Sequence, residues 1–154
     1  MVKVLFICYG NICRSPMAEM IFKHIVKENN KEEEFYIYSK ATSREEIGNN
    51  IYPLVKDILL ENNIDIEPHY ADQMTKEDYN KYDYIIVMEQ RNKIDVLNML
   101  GKNDPYNKIH LLLEYTKEYK DILDPWYTRN FRLCFEEIYR GCESLYNYII
   151  KGSE

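Results

Sequence analysis

Cys8-Tyr9-Gly10-Asn11-Ile12-Cys13-Arg14 places a thiol and a guanidinium at the two ends of seven residues, and Ser15-Pro16 follow at once. A thiolate is a strong nucleophile, and a guanidinium offers a planar fork that matches two phosphate oxygens. Gly10 and Asn11 tolerate the positive φ values that curl a loop until its backbone N–H groups converge on an anion. A helix that begins at Ser15-Pro16, as N-cap and first helical residue, adds about half a positive charge at the same point. That field and Arg14 both favour the thiolate form of Cys8, and Ser15 is placed to donate its hydroxyl to it. Together these groups describe phosphoryl transfer through a cysteinyl-phosphate, held in a cup of N–H donors from Tyr9 to Ser15. Singly, a Cys at a strand end is usually a small buried hydrophobe and an Arg after a turn is usually solvated. The C-x5-R spacing between strand and helix is what makes the pattern specific.

Such a cup needs a buried strand ahead of it and a helix behind it, at the carboxyl edge of a parallel sheet. Val2–Ile7 is apolar without alternation, as expected of a strand covered on both faces. Met17, Met20, Ile21, His24 and Ile25 then form one helical stripe. Phe35–Ala41, Tyr82–Met88 and Ile109–Leu113 are three further strands, and Ile51–Leu60 has helical spacing that Asn62-Asn63 stops. Thr75 caps a short helix or turn, and Arg91–Leu100 reads as a helix that ends at Gly101. From Arg129 onward, Phe131, Cys134, Phe135, Ile138, Cys142, Leu145 and Ile149 mark a long amphipathic helix. The expectation is an α/β fold. It has one domain, residues 1–154, a four-stranded parallel sheet with helices on both faces, and a phosphate-binding loop after the first strand.

The bulk properties agree. A chain of 154 residues can bury roughly 70% of its unfolded surface, and 45% hydrophobic residues supply the core. A net charge of −6 argues against a nucleic-acid binder. The four cysteines lack a secretory segment, a C-x-x-C pair or a His cluster, so a reduced, cytosolic protein without metal is expected. The N-terminal apolar run is too short to span a membrane. Cys134 and Cys142 lie on the apolar stripe of the last helix and read as core.

"CYGNICRSP" resembles the signature loop of the low-molecular-weight protein tyrosine phosphatases at every fixed position. The resemblance continues through "SKATSREEIGN", "HYADQMTKEDYNKYDYIIVMEQRN" and "DPWY", in the family's order over nearly the whole chain. It implies that Asp124 is the general acid that protonates the departing phenol, and then the base that activates water. An Asp-Pro pair alone is weak, since it commonly opens a turn. The resemblance also implies that Asn11, Ser43 and His69 brace the loop, and that Ile12 belongs to it. Glu45 and Glu46 would form the cleft rim, and Trp126 and Tyr127 its aromatic wall. Many relatives carry Tyr at the position of Trp126. Cys13 would form a reversible disulfide with Cys8. The partners implied are phosphotyrosine proteins or peptides, with inorganic phosphate and other oxyanions as inhibitors, no cofactor, and a monomeric state. Thiol-relay arsenate reductases share the loop but need cysteines near residues 80–90, where "NKYDYIIVMEQ" has none. A protein arginine phosphatase of the same fold would carry Thr in place of Ile12. A non-catalytic phosphotyrosine reader would lack the thiol, the Arg or the acid.

Overall fold

In the computed structural model, which describes residues 1–101 and 103–152, four strands alternate with helices. They are β1 (Val2–Cys8), β2 (Phe35–Ala41), β3 (Tyr84–Val87) and β4 (Ile109–Leu111), all parallel in the order β2-β1-β3-β4. The helices are α1 (Arg14–Glu28), α2 (Pro53–Glu61), α3 (Lys76–Lys81), α4 (Gln90–Leu100), α5 (Pro125–Thr128) and α6 (Phe131–Gly152). β1 pairs on both sides, so its side chains alternate between two cores. Val4, Phe6 and Cys8 face α1, α2 and α6, while Leu5 and Ile7 face α3 and α4. This is the expected architecture, and β1 delivers Cys8 at the carboxyl edge of its centre.

The local differences have physical causes. α1 begins at Arg14, two residues before the expected start, with Cys13 at the N-cap position. Ser15 is not a cap because its hydroxyl is engaged inside the loop, and Pro16 is tolerated where helical N–H groups have no partner anyway. Leu112–Thr116 leaves the fourth strand as a 3-10 turn. β3 is shorter than its apolar run, because Tyr82 is spent as the buried C-cap of α3. His24 lies at the edge of the α1 stripe, with Nε2 at 2.8 Å from Glu28. The expected α6 stripe is buried in full, Cys134 and Cys142 included. Among the described residues no helix is long and apolar enough to cross a membrane.

α6 presses so closely on the 3-10 turn that Gly141 is required there. A Cβ on Gly141 would stand 2.6 Å from Cγ of Leu112, which is itself fully buried. Gly141→Ala gains about 1 kcal/mol of helix propensity, yet overpacking of this kind costs about 1–3 kcal/mol or more. Urea denaturation is expected to show a net loss of stability, and a variant as stable as the wild type would show that the turn yields freely.

Candidate active site

Cys8 is the last residue of β1, and its sulfur lies inside a ring of donors. Ser15 Oγ stands at 3.0 Å, the Asn11 N–H group at 3.3 Å and the Ser15 N–H group at 3.4 Å. Asn11 Nδ2 already donates to Ser15 Oγ at 2.8 Å, so the hydroxyl proton is left to point at the sulfur. Three donors converging on one sulfur stabilise a thiolate and serve poorly to pack a thiol.

Asn11 shapes the loop. Its φ of 62° is left-handed, whereas Gly10, expected to share that duty, does not have a positive φ. One left-handed residue makes the turn; a Cβ on Gly10 would sit 3.4 Å from Cγ of Glu46. The conformation costs an ordinary residue about 1 kcal/mol or more. Here a saturated side chain offsets that cost. Asn11 Oδ1 accepts the Asp72 N–H at 3.1 Å and faces His69 Nε2 at 2.9 Å, while Nδ2 also reaches Ser39 Oγ at 3.0 Å. Because Asn11 Oδ1 can only accept, His69 must carry its proton on Nε2. Burial lowers the His69 pKa, with the Glu19 carboxylate opposing, so the ring is neutral at pH 7 and a donor to the loop. Ser43 holds the other end, donating both Oγ (2.8 Å) and N–H (3.1 Å) to the Tyr9 carbonyl.

Arg14 is 2% exposed and fixed at three points. Nη1 donates to the Ile122 carbonyl at 2.8 Å, and Nη2 lies 3.4 Å from Glu89 and 3.6 Å from Asp124. Burial alone would lower its pKa, but the charges of Cys8, Glu89 and Asp124 more than reverse this, so it is a permanent cation. Asp124 arrives from a distant loop as the N-cap of α5. Its Oδ1 accepts the Trp126 N–H at 2.9 Å, and Oδ2 is turned toward Arg14. Cys13 is a different thiol from Cys8. Burial, with the negative charges of Cys8 and Asp124, pushes it up to about 12. All four cysteines are unpaired.

Over the sulfur opens a pocket of about 340 Å³, bounded by the loop from Cys8 to Arg14 and by Glu45, Glu46, Tyr52, Asp124, Trp126 and Tyr127. Trp126 is held with its ring edge-on to Tyr52 at 5.3 Å and Arg129 over its face at 5.7 Å. Tyr52 in turn stacks on Phe131 at 5.8 Å. Tyr127 is 82% exposed and forms the outer lip. At the opposite rim Glu45 accepts the Tyr9 hydroxyl at 2.6 Å and Glu46 accepts Asn49 Nδ2 at 2.6 Å. A larger cavity, about 610 Å³, lies around Lys23 and Glu67 between α1 and β2, and no residue of the Cys8 loop lines it.

All the residues expected from the sequence therefore meet at the loop or around the pocket. Sequence reasoning missed Glu89, Tyr52, Ser39 and Glu19. Glu89 had a usable signal, since it directly follows a buried strand at the carboxyl edge where anions bind. Ser39 and Glu19 gave none, because Ser39 Oγ is bonded to Glu19 at 2.6 Å inside the core.

A cysteine sulfur ringed by donors at a strand end and a buried cation facing a carboxylate have the make-up of a site for phosphate monoesters, and among the described residues no His, Cys, Asp and Glu cluster could hold a metal ion. The chain belongs to the low molecular weight phosphotyrosine protein phosphatase family, whose model matches residues 3–153. It is 36% identical to the low molecular weight protein-tyrosine-phosphatase PtpA of Staphylococcus haemolyticus, over 99% of this chain and 97% of that one. It is also 36% identical to YfkJ of Bacillus subtilis, a protein of the same designation, over 100% of this chain and 99% of the relative. The YfkJ crystal structure superposes with a TM-score of 0.96 at 35% identity, covering 100% and 98% of the two chains. The Drosophila arginine phosphatase DARP superposes at 0.88 with 28% identity, covering 96% and 98%.

Proposed function

We propose that the protein hydrolyses phosphotyrosine, in proteins or peptides, through a cysteinyl-phosphate on Cys8. The observation that carries this reading is the ring of three donors on the Cys8 sulfur, with the Arg14 guanidinium fixed beside it. In the first step Cys8 Sγ attacks phosphorus and the bond to the phenolic oxygen breaks. Asp124 gives its proton to that oxygen, and tyrosine leaves. In the second step Asp124 takes a proton from water as the water attacks phosphorus. The S–P bond breaks, phosphate departs and the thiolate is restored. Arg14 and the loop N–H groups hold the three phosphate oxygens through both steps. No cofactor is needed.

The walls support an aryl substrate. Cys8 is 3% exposed at the floor, so the phosphate must be carried down on a long, flat stem between Trp126 and the Ile12 side of the loop. Phosphoserine, with a shorter stem, is the poorer substrate on this reading. Inorganic phosphate and other oxyanions fit the same cup and would compete. Unpaired thiols suit a reducing cytosol, where a monomer suffices because one chain supplies every group named.

Matched phosphotyrosine, phosphoserine and phosphoarginine peptides test the reading. The phosphotyrosine peptide is expected to be cleaved fastest, with kcat/KM at least about 100-fold above phosphoserine, equivalent to about 2.7 kcal/mol of transition-state binding. Faster release from phosphoarginine would assign the protein to the arginine phosphatases instead.

A further inference from the structure

A second groove, about 430 Å³, opens on the far side of Tyr9. One wall is a face of α4 that carries Arg91, Asp95 and Asn98, residues spaced at i, i+4 and i+7. Thr42 and Gln73 form the other wall, from the chain after β2 and the segment ahead of α3. Tyr9 lines both this groove and the pocket over Cys8, so the two are separated by one phenol ring. That ring is tethered by its hydroxyl to Glu45 and through its carbonyl to Ser43.

The groove differs from the pocket in chemistry. It contains no thiol, and beyond Tyr9 its lining is two amides, two hydroxyls, one ion pair and the Met99 thioether, which suits a polypeptide backbone. Arg91 is 75% exposed and gives Nε to Asp95 at 3.2 Å. Among the described residues, the Nη edge of its fork has no partner. The Tyr9 rim of the pocket also carries Glu45 and Glu46. Glu45 accepts the Tyr9 hydroxyl at 2.6 Å, so a chain that leaves the pocket over Tyr9 passes that carboxylate and then meets the open guanidinium fork of Arg91.

We propose that this groove is the subsite for the polypeptide that flanks the phosphotyrosine, with Arg91 receiving an acidic side chain of that flank. The assignment rests on the phosphotyrosine reading above. Its support is the continuity of groove and pocket across Tyr9 and the Nη edge of Arg91 left open in the groove wall. A residue in extended chain advances about 3.3 Å, so a groove one ring away accepts side chains one to four residues from the phosphotyrosine. An exposed charge pair of this kind changes selectivity by up to about fivefold, and steers encounter more than it holds the complex.

The experiment uses the full-length protein and phosphotyrosine peptides with a single Asp, Ala or Lys scanned over the four positions on each side. The readout is the ratio of kcat/KM for the Asp peptide over the Ala peptide, each normalised to p-nitrophenyl phosphate, so a general change in activity cancels. The wild type should prefer Asp by about fivefold at positions on one side only. Arg91→Ala should bring that ratio to about one, and Arg91→Glu should turn the preference to Lys. The preference should also collapse at 1 M NaCl, where the screening length is about 3 Å. An Asp preference that survives Arg91→Ala, or no acidic preference at any position, overturns the subsite while leaving phosphotyrosine hydrolysis standing. Cleavage of p-nitrophenyl phosphate with no phosphotyrosine peptide cleaved overturns the parent reading, and the subsite with it.

Discussion

Cys8→Ser is expected to lower turnover of phosphotyrosine by roughly 10³-fold or more while phosphate still binds. The two effects separate because the sulfur and the cup do different work. A neutral hydroxyl in place of the thiolate is a far weaker nucleophile, and no neighbouring base is set to activate it. The cup itself is built by Asn11, Ser15 and Arg14, whose anchors are His69, Ser39, the Ile122 carbonyl and Glu89 rather than Cys8. A serine Oγ can accept from the same Ser15 and Asn11 donors, so the loop has no reason to open. Removing the thiolate also removes a negative charge from contact with an incoming dianion. Inorganic phosphate or vanadate should thus bind the variant as tightly as the wild type, or more tightly. Calorimetry and steady-state kinetics on the same preparation decide the matter. A variant with a tenth of the wild-type rate would show that another group attacks phosphorus, and one that cannot bind phosphate would show that the sulfur holds the cup open.

The parts of the site that could be read from the sequence are those set by near neighbours along the chain. Cys8, Asn11, Arg14 and Ser15 fall in one strand–loop–helix unit, and the strand is recognisable from its unbroken apolar run. What failed within that unit failed by competition among partners. Ser15 has the chemistry of an N-cap, but an acceptor role toward Asn11 and a donor role toward Cys8 claim its hydroxyl, and the helix starts without it. Gly10 and Asn11 both allow positive φ, and only the saturated amide of Asn11 shows why one residue takes it. The long-range parts have no local pattern, and Asp124, His69, Ser43 and the aromatic wall entered only through the family resemblance. Arg14 meets Glu89 and the Ile122 carbonyl across sequence separations of 75 and 108 residues. No local pattern carries such a pairing, because it is fixed by strand order. Tyr52 is a similar case: it faces Trp126 only because α2 and α5 both pack near the start of α6, where Arg129 at φ 59° turns the chain.

Asp124 is the residue for which chemistry and loop structure must be told apart, since the proposed mechanism makes it the acid while it also caps α5. Asp124→Ala should slow phosphotyrosine hydrolysis by roughly 10²–10⁴-fold. That variant also removes the acceptor for the Trp126 N–H group, so the aromatic wall loosens with the acid. Asp124→Asn separates the two. Asparagine is as good an N-cap as aspartate and keeps an oxygen for Trp126, but it has no acidic proton to give and cannot serve as the later base. The expected result is that Asp124→Asn loses about as much activity on phosphotyrosine as Asp124→Ala does. The leaving group then identifies the step. The phenol of tyrosine has a pKa of about 10 and leaves badly as an anion, so its departure needs the proton. Nitrophenol is much more acidic and needs little help, so formation of the cysteinyl-phosphate from p-nitrophenyl phosphate should be slowed far less. Steady-state rates can hide this difference, because in the proposed mechanism the same aspartate activates the hydrolytic water in the second step. The burst of phenol released in the first turnover reports phosphorylation of Cys8 alone. A burst slowed equally for both phenols, in both variants, would leave Asp124 as a cap on α5 and a partner of Arg14. The acid would then be sought among Glu45, Glu46 and Glu89, of which Glu89 already lies within 3.4 Å of Arg14.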